Sequence, residues 1–201
     1  MKKIELDDGA VGSAVEVLKN SGIVMHPTET CYGMAVDVFN EQALEKLYKV
    51  KGMERNKPLS ILVDSLEMAE KYGEFSEKAL QLAKEYWPGP LAIIVPRKNL
   101  PEFFNIGDDF VSFRVSSDKF CLEMIKGFGK PVTTTSANRA GLPQLYSAEN
   151  LESAFGEFSG ELDLVIDGGK IPENKPSTIV KVDGDQVLVI RQGDLLLKEL
   201  K

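Results

Sequence analysis

Residues 76–95 read SEKALQLAKEYWPGPLAIIV. Ser76 is placed to cap a helix, and Ala79, Leu80, Leu82, Ala83 and Tyr86 follow it as the helix's apolar residues. Trp87-Pro88-Gly89-Pro90 stops that helix, because proline has no backbone N–H to donate and disfavours helical angles in the residue before it. Leu91 to Val95 is then an unbroken apolar run, which predicts a short buried strand. A helix that delivers the chain directly into a buried strand is the repeating unit of an α/β fold.

The pattern extends in both directions. Residues 9–20 predict a helix closed by Gly22, and Ile23 to His26 a short strand running into Pro27. Asn40 is placed to cap a helix reaching Lys51, with Ala43, Leu44, Leu47 and Tyr48 on one face. Leu59 to Val63 reads as a strand, and Ser65 as the cap of a further helix. Phe110 to Val115 alternates: Val111, Phe113 and Val115 face one side, while Phe110, Ser112 and Arg114 face the other. Asp118 caps a helix to Lys126, Val132 to Thr135 is a strand, Ser147 to Phe155 a helix and Leu164 to Ile166 a short strand. Thr178 to Val182 and Val187 to Arg191 form a hairpin around Asp183-Gly184-Asp185. With no repeat and no Pro/Gly/Ser-rich linker, the expectation is a single α/β domain over residues 1–201. Its twisted mixed sheet, parallel and antiparallel, has helices packed on its faces.

Composition narrows the function. Of 201 residues, 24 are Lys or Arg and 31 Asp or Glu, so the net charge is −7. Proteins that grip nucleic acid by neutralising phosphates are normally basic. A chain of pI 4.9 is therefore expected to form no stable direct nucleic-acid complex. A local pocket for a small anion remains compatible with that balance. The longest apolar run has five residues against the ~20 of a membrane span, and no secretory signal is readable at the start. Two cysteines make no disulfide framework, which points to a reduced, cytoplasmic protein without membrane association.

The usual nucleotide loops are absent: Gly129-Lys130 lacks the upstream glycine and the hydroxyl of a P-loop, and no G-x-G-x-x-G occurs. One histidine and two distant cysteines exclude a zinc-type site, so no protein metal site is expected. Ser116-Ser117-Asp118-Lys119 fits S-x-x-K without that motif's companions. His26 reads as a strand-end residue with a satisfied hydrogen bond, Cys31 as a small buried thiol and Cys121 as core.

Polar residues instead crowd where strands end, the usual place for ligands in α/β sheets. These segments are His26 to Gly33, Lys51 to Ser60 with its cations, Arg114, Thr133 to Asn138, and Pro176-Ser177-Thr178 with Arg191. Together they offer four to five cations, several hydroxyls and an amide, a set suited to a polyanion such as a nucleoside triphosphate.

Pro27-Thr28-Glu29-Thr30-x-Tyr32-Gly33, Lys51-Gly52, Lys57-Pro58-Leu59-Ser60, Trp87-Pro88-Gly89-Pro90-Leu91, Ser136-Ala137-Asn138-x-x-Gly141, Asp167-Gly168-Gly169, Ser177-Thr178-Ile179-Val180 and Arg191-x-Gly193 occur in that order. From about Gly22 to Leu195 the chain resembles the YrdC-like family of threonylcarbamoyl-adenylate synthases, in its short, single-domain form. The resemblance implies a YrdC-like fold with a concave site. It implies condensation of L-threonine, bicarbonate and ATP into threonylcarbamoyl-AMP and pyrophosphate, an adenylyl transfer of the nucleotidyltransferase class. Downstream tRNA-modification proteins would use that product on a tRNA adenine. Mg²⁺ would assist at the phosphates. The resemblance gives Thr30, Arg114 and Ser177 to threonine, with Arg114 paired to its carboxylate. It gives Lys51, Lys57, Thr134, Ser136, Asn138 and Arg191 to ATP, and among these Lys51, Ser136 and Asn138 to catalysis; Arg55 is added to the ATP set as the nearby cation that would replace an arginine usual in the family.

One position departs from the family. Where Lys-x-Arg is usual, this chain has Lys51-Gly52-Met53, and Arg55 is the next cation along. A missing charge-assisted phosphate contact costs about 1.5–3 kcal/mol. Two other readings share the same residues: a non-catalytic RNA- or ribosome-binding relative, and a carbamoyl-transfer domain with another substrate.

Overall fold

The computed structural model describes residues 1–149 and 151–197. Among them run β1 (Lys2–Glu5), α1 (Ala10–Lys19), β2 (Val24–His26), β3 (Gly33–Ala35), α2 (Glu41–Lys51), β4 (Ser60–Leu62), α3 (Leu66–Ala69) and α4 (Glu77–Tyr86). There follow β5 (Leu91–Pro96), β6 (Phe110–Arg114), α5 (Lys119–Phe128), β7 (Val132–Ser136), α6 (Leu151–Phe155), a 3-10 turn (Gly156–Glu161), β8 (Leu164–Asp167), β9 (Thr178–Asp183) and β10 (Gln186–Arg191).

The caps act as the sequence predicts. Asn40 Oδ1 accepts from Ala43 N at 2.9 Å and starts α2; Asp118 Oδ1 accepts from Cys121 N at 3.0 Å and starts α5. Ser65 Oγ and Ser76 Oγ do the same for α3 and α4. Each such cap satisfies a helix N–H that has no partner within the helix. Helix α4 ends at Trp87, and the Trp87–Pro88 bond is cis.

The strands form one sheet in the order β1-β8-β2-β3-β7-β4-β6-β5-β9-β10. Neighbours β1/β8, β2/β8, β4/β6 and β5/β9 are parallel; the remaining pairs are antiparallel. This is the mixed α/β sheet expected from the sequence. Leu91, Ile93 and Val95 of β5, Phe113 of β6 and Val132 of β7 are fully or almost fully buried. They share one core with Ala14 and Leu18 of α1 and Phe120, Met124 and Ile125 of α5.

Two strands lie outside the sequence reading. β1 is an edge strand of mostly exposed residues, with only Ile4 half-buried, so no alternation marks it. β3 is buried at every position and lies inside a segment that reads as a turn. The helix expected from Ser147 to Phe155 is confined to Leu151–Phe155, before the 3-10 turn; Asn150 falls outside the described residues, as do 198–201 of the expected domain.

Register sets the site. Gly33 of β3 pairs with Ser136 of β7, and Ser60 of β4 with Thr134. Arg114, the last residue of β6, pairs with Leu62. Across the other half of the sheet Ala92 pairs with Ile179, which pairs in turn with Arg191 beyond a bulge in β10. Residues from five parts of the chain thus reach one side of the sheet.

Candidate active site

Those residues wall a cleft of about 430 Å³. Thr30, Lys51, Arg114, Thr134, Ser136, Asn138, Ser177 and Arg191 all line it, so eight of the ten residues proposed from sequence meet there. Arg55 and Lys57 do not line it. The Arg55 guanidinium stands 5.2 Å from the Tyr48 ring centroid and reaches Glu41 at 3.5 Å, while Lys57 gives its carbonyl to the Tyr48 hydroxyl. Met53 occupies cleft wall instead. Helix α2 ends at a left-handed Gly52, φ 61°, so the chain turns sharply after Lys51 and carries Arg55 away from the cleft.

One corner is a polar triad. Lys51 is 3% exposed, and its Nζ donates to Ser136 O at 2.8 Å and to Asn138 Oδ1 at 3.1 Å. Ser136 Oγ donates to the same Asn138 oxygen at 2.6 Å, and Asn138 Nδ2 donates to Leu142 O at 2.5 Å. Burial pulls the Lys51 amine down from 10.5 to about 8. Gly52 also leaves room for the Arg139 guanidinium: a Cβ there would stand 2.7 Å from one of its nitrogens.

Opposite, Arg114 is 6% exposed, a depth that a guanidinium tolerates only with partners. Glu29 supplies the charge: Arg114 Nη2 lies 2.6 Å from Glu29 Oε1. The Thr30 hydroxyl accepts from Nη1 and Nη2 at 3.4 Å, and Nε reaches Gly89 O at 3.4 Å. Ser116 Oγ donates to Glu29 Oε2, and Asn174 Nδ2 to the Glu29 carbonyl at 2.9 Å. Burial alone would raise the Glu29 carboxyl; the Arg114 charge and the Ser116 hydroxyl outweigh it and hold the group below the ordinary value. Glu29 is the residue that sequence reasoning left without a role. The signal was available: a buried arginine demands a carboxylate, and Glu29 sits in the polar turn already singled out. Arg114 is thus committed in part to Glu29 and does not face the cleft with its whole fork.

The third corner is Arg191. Its Nε and Nη2 donate to Ser177 O at 3.0 and 2.8 Å, and Nη2 to Ser177 Oγ at 3.2 Å. Burial and then the nearby Arg114 charge lower its pKa. Close approach of the chain here requires Gly193, where a Cβ would fall on the Pro176 carbonyl and stand 2.6 Å from Thr178 N.

The remaining candidates behave as core. Burial pushes the Cys31 thiol up, against the Arg114 charge, so it stays protonated. Cys121 is fully buried, with Sγ 3.4 Å from His26 Nδ1. His26 Nδ1 meets Pro27 O at 2.9 Å, as a strand-end histidine should, but its buried Nε2 has no hydrogen-bond partner. Ser116 serves Glu29, and Lys119 pairs with Glu123, so the S-x-x-K pattern builds no nucleophile. Among the described residues no cluster of three or more His, Cys, Asp or Glu is arranged to hold a metal, and no helix is long and apolar enough to cross a membrane.

Two buried cations, the more exposed Arg191, their hydroxyl neighbours and, among the described residues, no lining carboxylate give this α/β protein a cleft whose charge suits an anion. The Sua5/YciO/YrdC family model, described as telomere recombination, matches residues 16–193, and the chain belongs to that family. It is 33% identical to a putative threonylcarbamoyl-AMP synthase of Methanocaldococcus jannaschii, across 100% of this chain and 95% of that protein. It is 29% identical to the threonylcarbamoyl-AMP synthase of Pyrococcus abyssi, but spans only 57% of that protein's length. The structure of P. abyssi Sua5 complexed with L-threonine superposes with a TM-score of 0.88 at 28% identity, over 96% of this chain and 57% of that one. E. coli YciO shares the fold, with a TM-score of 0.83 at 21% identity, over 96% of this chain and 95% of that one.

Proposed function

We propose that this chain condenses L-threonine, bicarbonate and ATP into threonylcarbamoyl-AMP and pyrophosphate, an adenylyl transfer whose product other cytoplasmic proteins use to modify a tRNA adenine. The observation that carries this reading is the meeting of Lys51, Arg114 and Arg191 in one cleft with Thr30, Ser136 and Ser177, in a chain similar to proteins named threonylcarbamoyl-AMP synthase. The threonine-bound relative of the same fold supports the choice of amino acid.

In this reading Arg114, oriented by Glu29, offers its remaining N–H groups to the threonine carboxylate, and Thr30 and Ser177 hold the polar remainder. Lys51, Ser136, Asn138, Thr134 and Arg191 face ATP. The carbamate oxygen of N-carboxy-threonine attacks the α-phosphorus and pyrophosphate leaves. Such a displacement asks the protein for positioning and for fixed positive charge over the phosphates, and for no covalent nucleophile. A protonated Cys31 and a buried His26 are consistent with that. Arg55 and Lys57 take no part, because neither lines the cleft. Among the described residues the cleft lining has no carboxylate and so does not fit a protein-held Mg²⁺; the ion would enter with the triphosphate.

The test is pyrophosphate release from purified protein given ATP, threonine and bicarbonate. Release that disappears when threonine is omitted is expected. Release no greater than in the threonine-free control, while the M. jannaschii relative works in parallel, overturns the reading.

A further inference from the structure

Carbamate formation needs a free amine, yet threonine is an ammonium ion at neutral pH, so some group must take a proton. The charged and titratable groups lining the cleft, among the described residues, are Lys51 from α2, Cys31 from the loop before β3, Arg114 from β6 and Arg191 from β10. Arginine does not give up its charge, and the buried Cys31 thiol is held protonated. Glu29 does not line the cleft and is committed to Arg114 and Ser116.

Lys51 differs from all of these. Its two hydrogen bonds go to neutral acceptors, the Ser136 carbonyl and the Asn138 amide oxygen. An ammonium has three N–H groups and a neutral amine two, so both bonds survive loss of a proton. The lone pair then takes the third position, on a residue that lines the cleft. Burial opposes the charged form, and no carboxylate in the lining rewards it.

Resting on the reaction proposed above, we propose that Lys51 Nζ is the proton acceptor of carbamate formation and afterwards, as an ammonium, the cation of adenylyl transfer. Neutral Nζ takes one proton from the threonine ammonium. The freed amine attacks the bicarbonate carbon; the N–C bond forms, the C–OH bond breaks, and the second amine proton leaves with the hydroxide as water. Lys51 is now positively charged when the carbamate oxygen attacks the α-phosphorus and pyrophosphate departs. Its proton returns to solvent as the products leave. The lowering of the Lys51 pKa to about 8 agrees with this order of events.

The test compares Lys51→Arg with the wild type in two directions. Arginine keeps the cation and abolishes the base. Forward synthesis from threonine and bicarbonate should fall at least 100-fold. Synthesis of ATP from pyrophosphate and threonylcarbamoyl-AMP prepared with the wild type, which requires no deprotonation of threonine, should fall at least tenfold less than the forward reaction. The wild-type forward rate should rise with pH toward a plateau above about 8. Equal losses in the two directions, or a forward rate that survives, overturn the proposal while leaving the reaction itself intact; a wild type that makes no pyrophosphate overturns the reaction. Should Lys51→Arg fail to fold, Lys51→Ala with added alkylamines replaces it, and forward rates that do not respond to the amine overturn the proposal.

Discussion

Replacing Lys51 by methionine should remove a rise in stability that the wild type shows between pH 8 and pH 10. The folded protein sheds the Lys51 proton near pH 8, because burial lowers the amine from its ordinary 10.5 to about 8. The unfolded chain, fully hydrated, keeps that proton until about pH 10.4. Between the two values the unfolded state binds more protons, so the folded state gains as pH rises. That window of about 2.5 pH units, at about 1.4 kcal/mol each, is worth ~3 kcal/mol. Below pH 8 the wild type bears the full cost of a buried ammonium. Methionine avoids it but gives up the two Lys51 hydrogen bonds, at about 1–3 kcal/mol, while Ser136 O keeps the Asn138 N–H at 3.0 Å and Asn138 Oδ1 keeps the Ser136 hydroxyl, so the two proteins should differ little at pH 7. Urea unfolding of both at pH 7 and pH 10 measures the effect, since the difference between proteins cancels other titrating groups. The wild type should move ahead by about 2–3 kcal/mol over that interval. Parallel pH profiles would refute the argument, because they would mean that Lys51 keeps an ordinary pKa in the fold.

Three further outcomes follow from the cleft. Arg191→Ala should weaken ATP binding about tenfold or more in calorimetric titration, as loss of a charge-assisted contact implies, whereas Arg55→Ala and Lys57→Ala should change it less than threefold. Glu29→Gln should destabilise the protein by about 2 kcal/mol in denaturant and raise the KM for threonine more than that for ATP, because Arg114 loses the carboxylate that orients it. The Glu29 contribution is present above the ordinary carboxylate value and lost as pH falls through the lower folded one, so the variant should also lose stability less steeply in acid. Gly193→Ala should cost more than about 3 kcal/mol in the same unfolding assay and abolish ATP binding, since its Cβ would collide with backbone at Pro176 that cannot give way as a flexible side chain would.

Much of the fold was legible in local chemistry. Asn40, Ser65, Ser76 and Asp118 start helices because a side-chain oxygen can cap the next turn, whatever packs against it later. The Leu91 to Val95 run becomes β5 because an unbroken apolar segment ahead of no helix signal has to be buried from both sides. β3 escaped because every one of its residues is buried, so neither alternation nor a polar face distinguishes it from the turn it follows. β1 escaped for the opposite reason: its partner β8, far along the chain, makes it a strand, and its own residues are mostly exposed.

The site divides the same way. Residue types sufficed to mark Lys51, Arg114, Ser136, Asn138 and Arg191, because cations and hydroxyls at strand ends suit an anion wherever they are found. Distance was not written there. Lys51 and Asn138 touch across 87 positions, and Thr30 and Arg114 across 84, only because the sheet order places β3, β7, β4 and β6 side by side. Sequence proximity was also a poor guide at Arg55: four residues from Lys51, it is turned toward Tyr48 by the left-handed Gly52, and Met53 takes the wall. The amino-acid sequence by itself determined which elements form and which side chains are available, since capping, periodicity and charge act within a few residues. Only the tertiary structure decided which of those side chains share a cleft, that Glu29 is Arg114's counter-charge, and that Lys51 sits where burial makes its proton easy to lose, because desolvation and pairing depend on neighbours that the chain reaches only by folding.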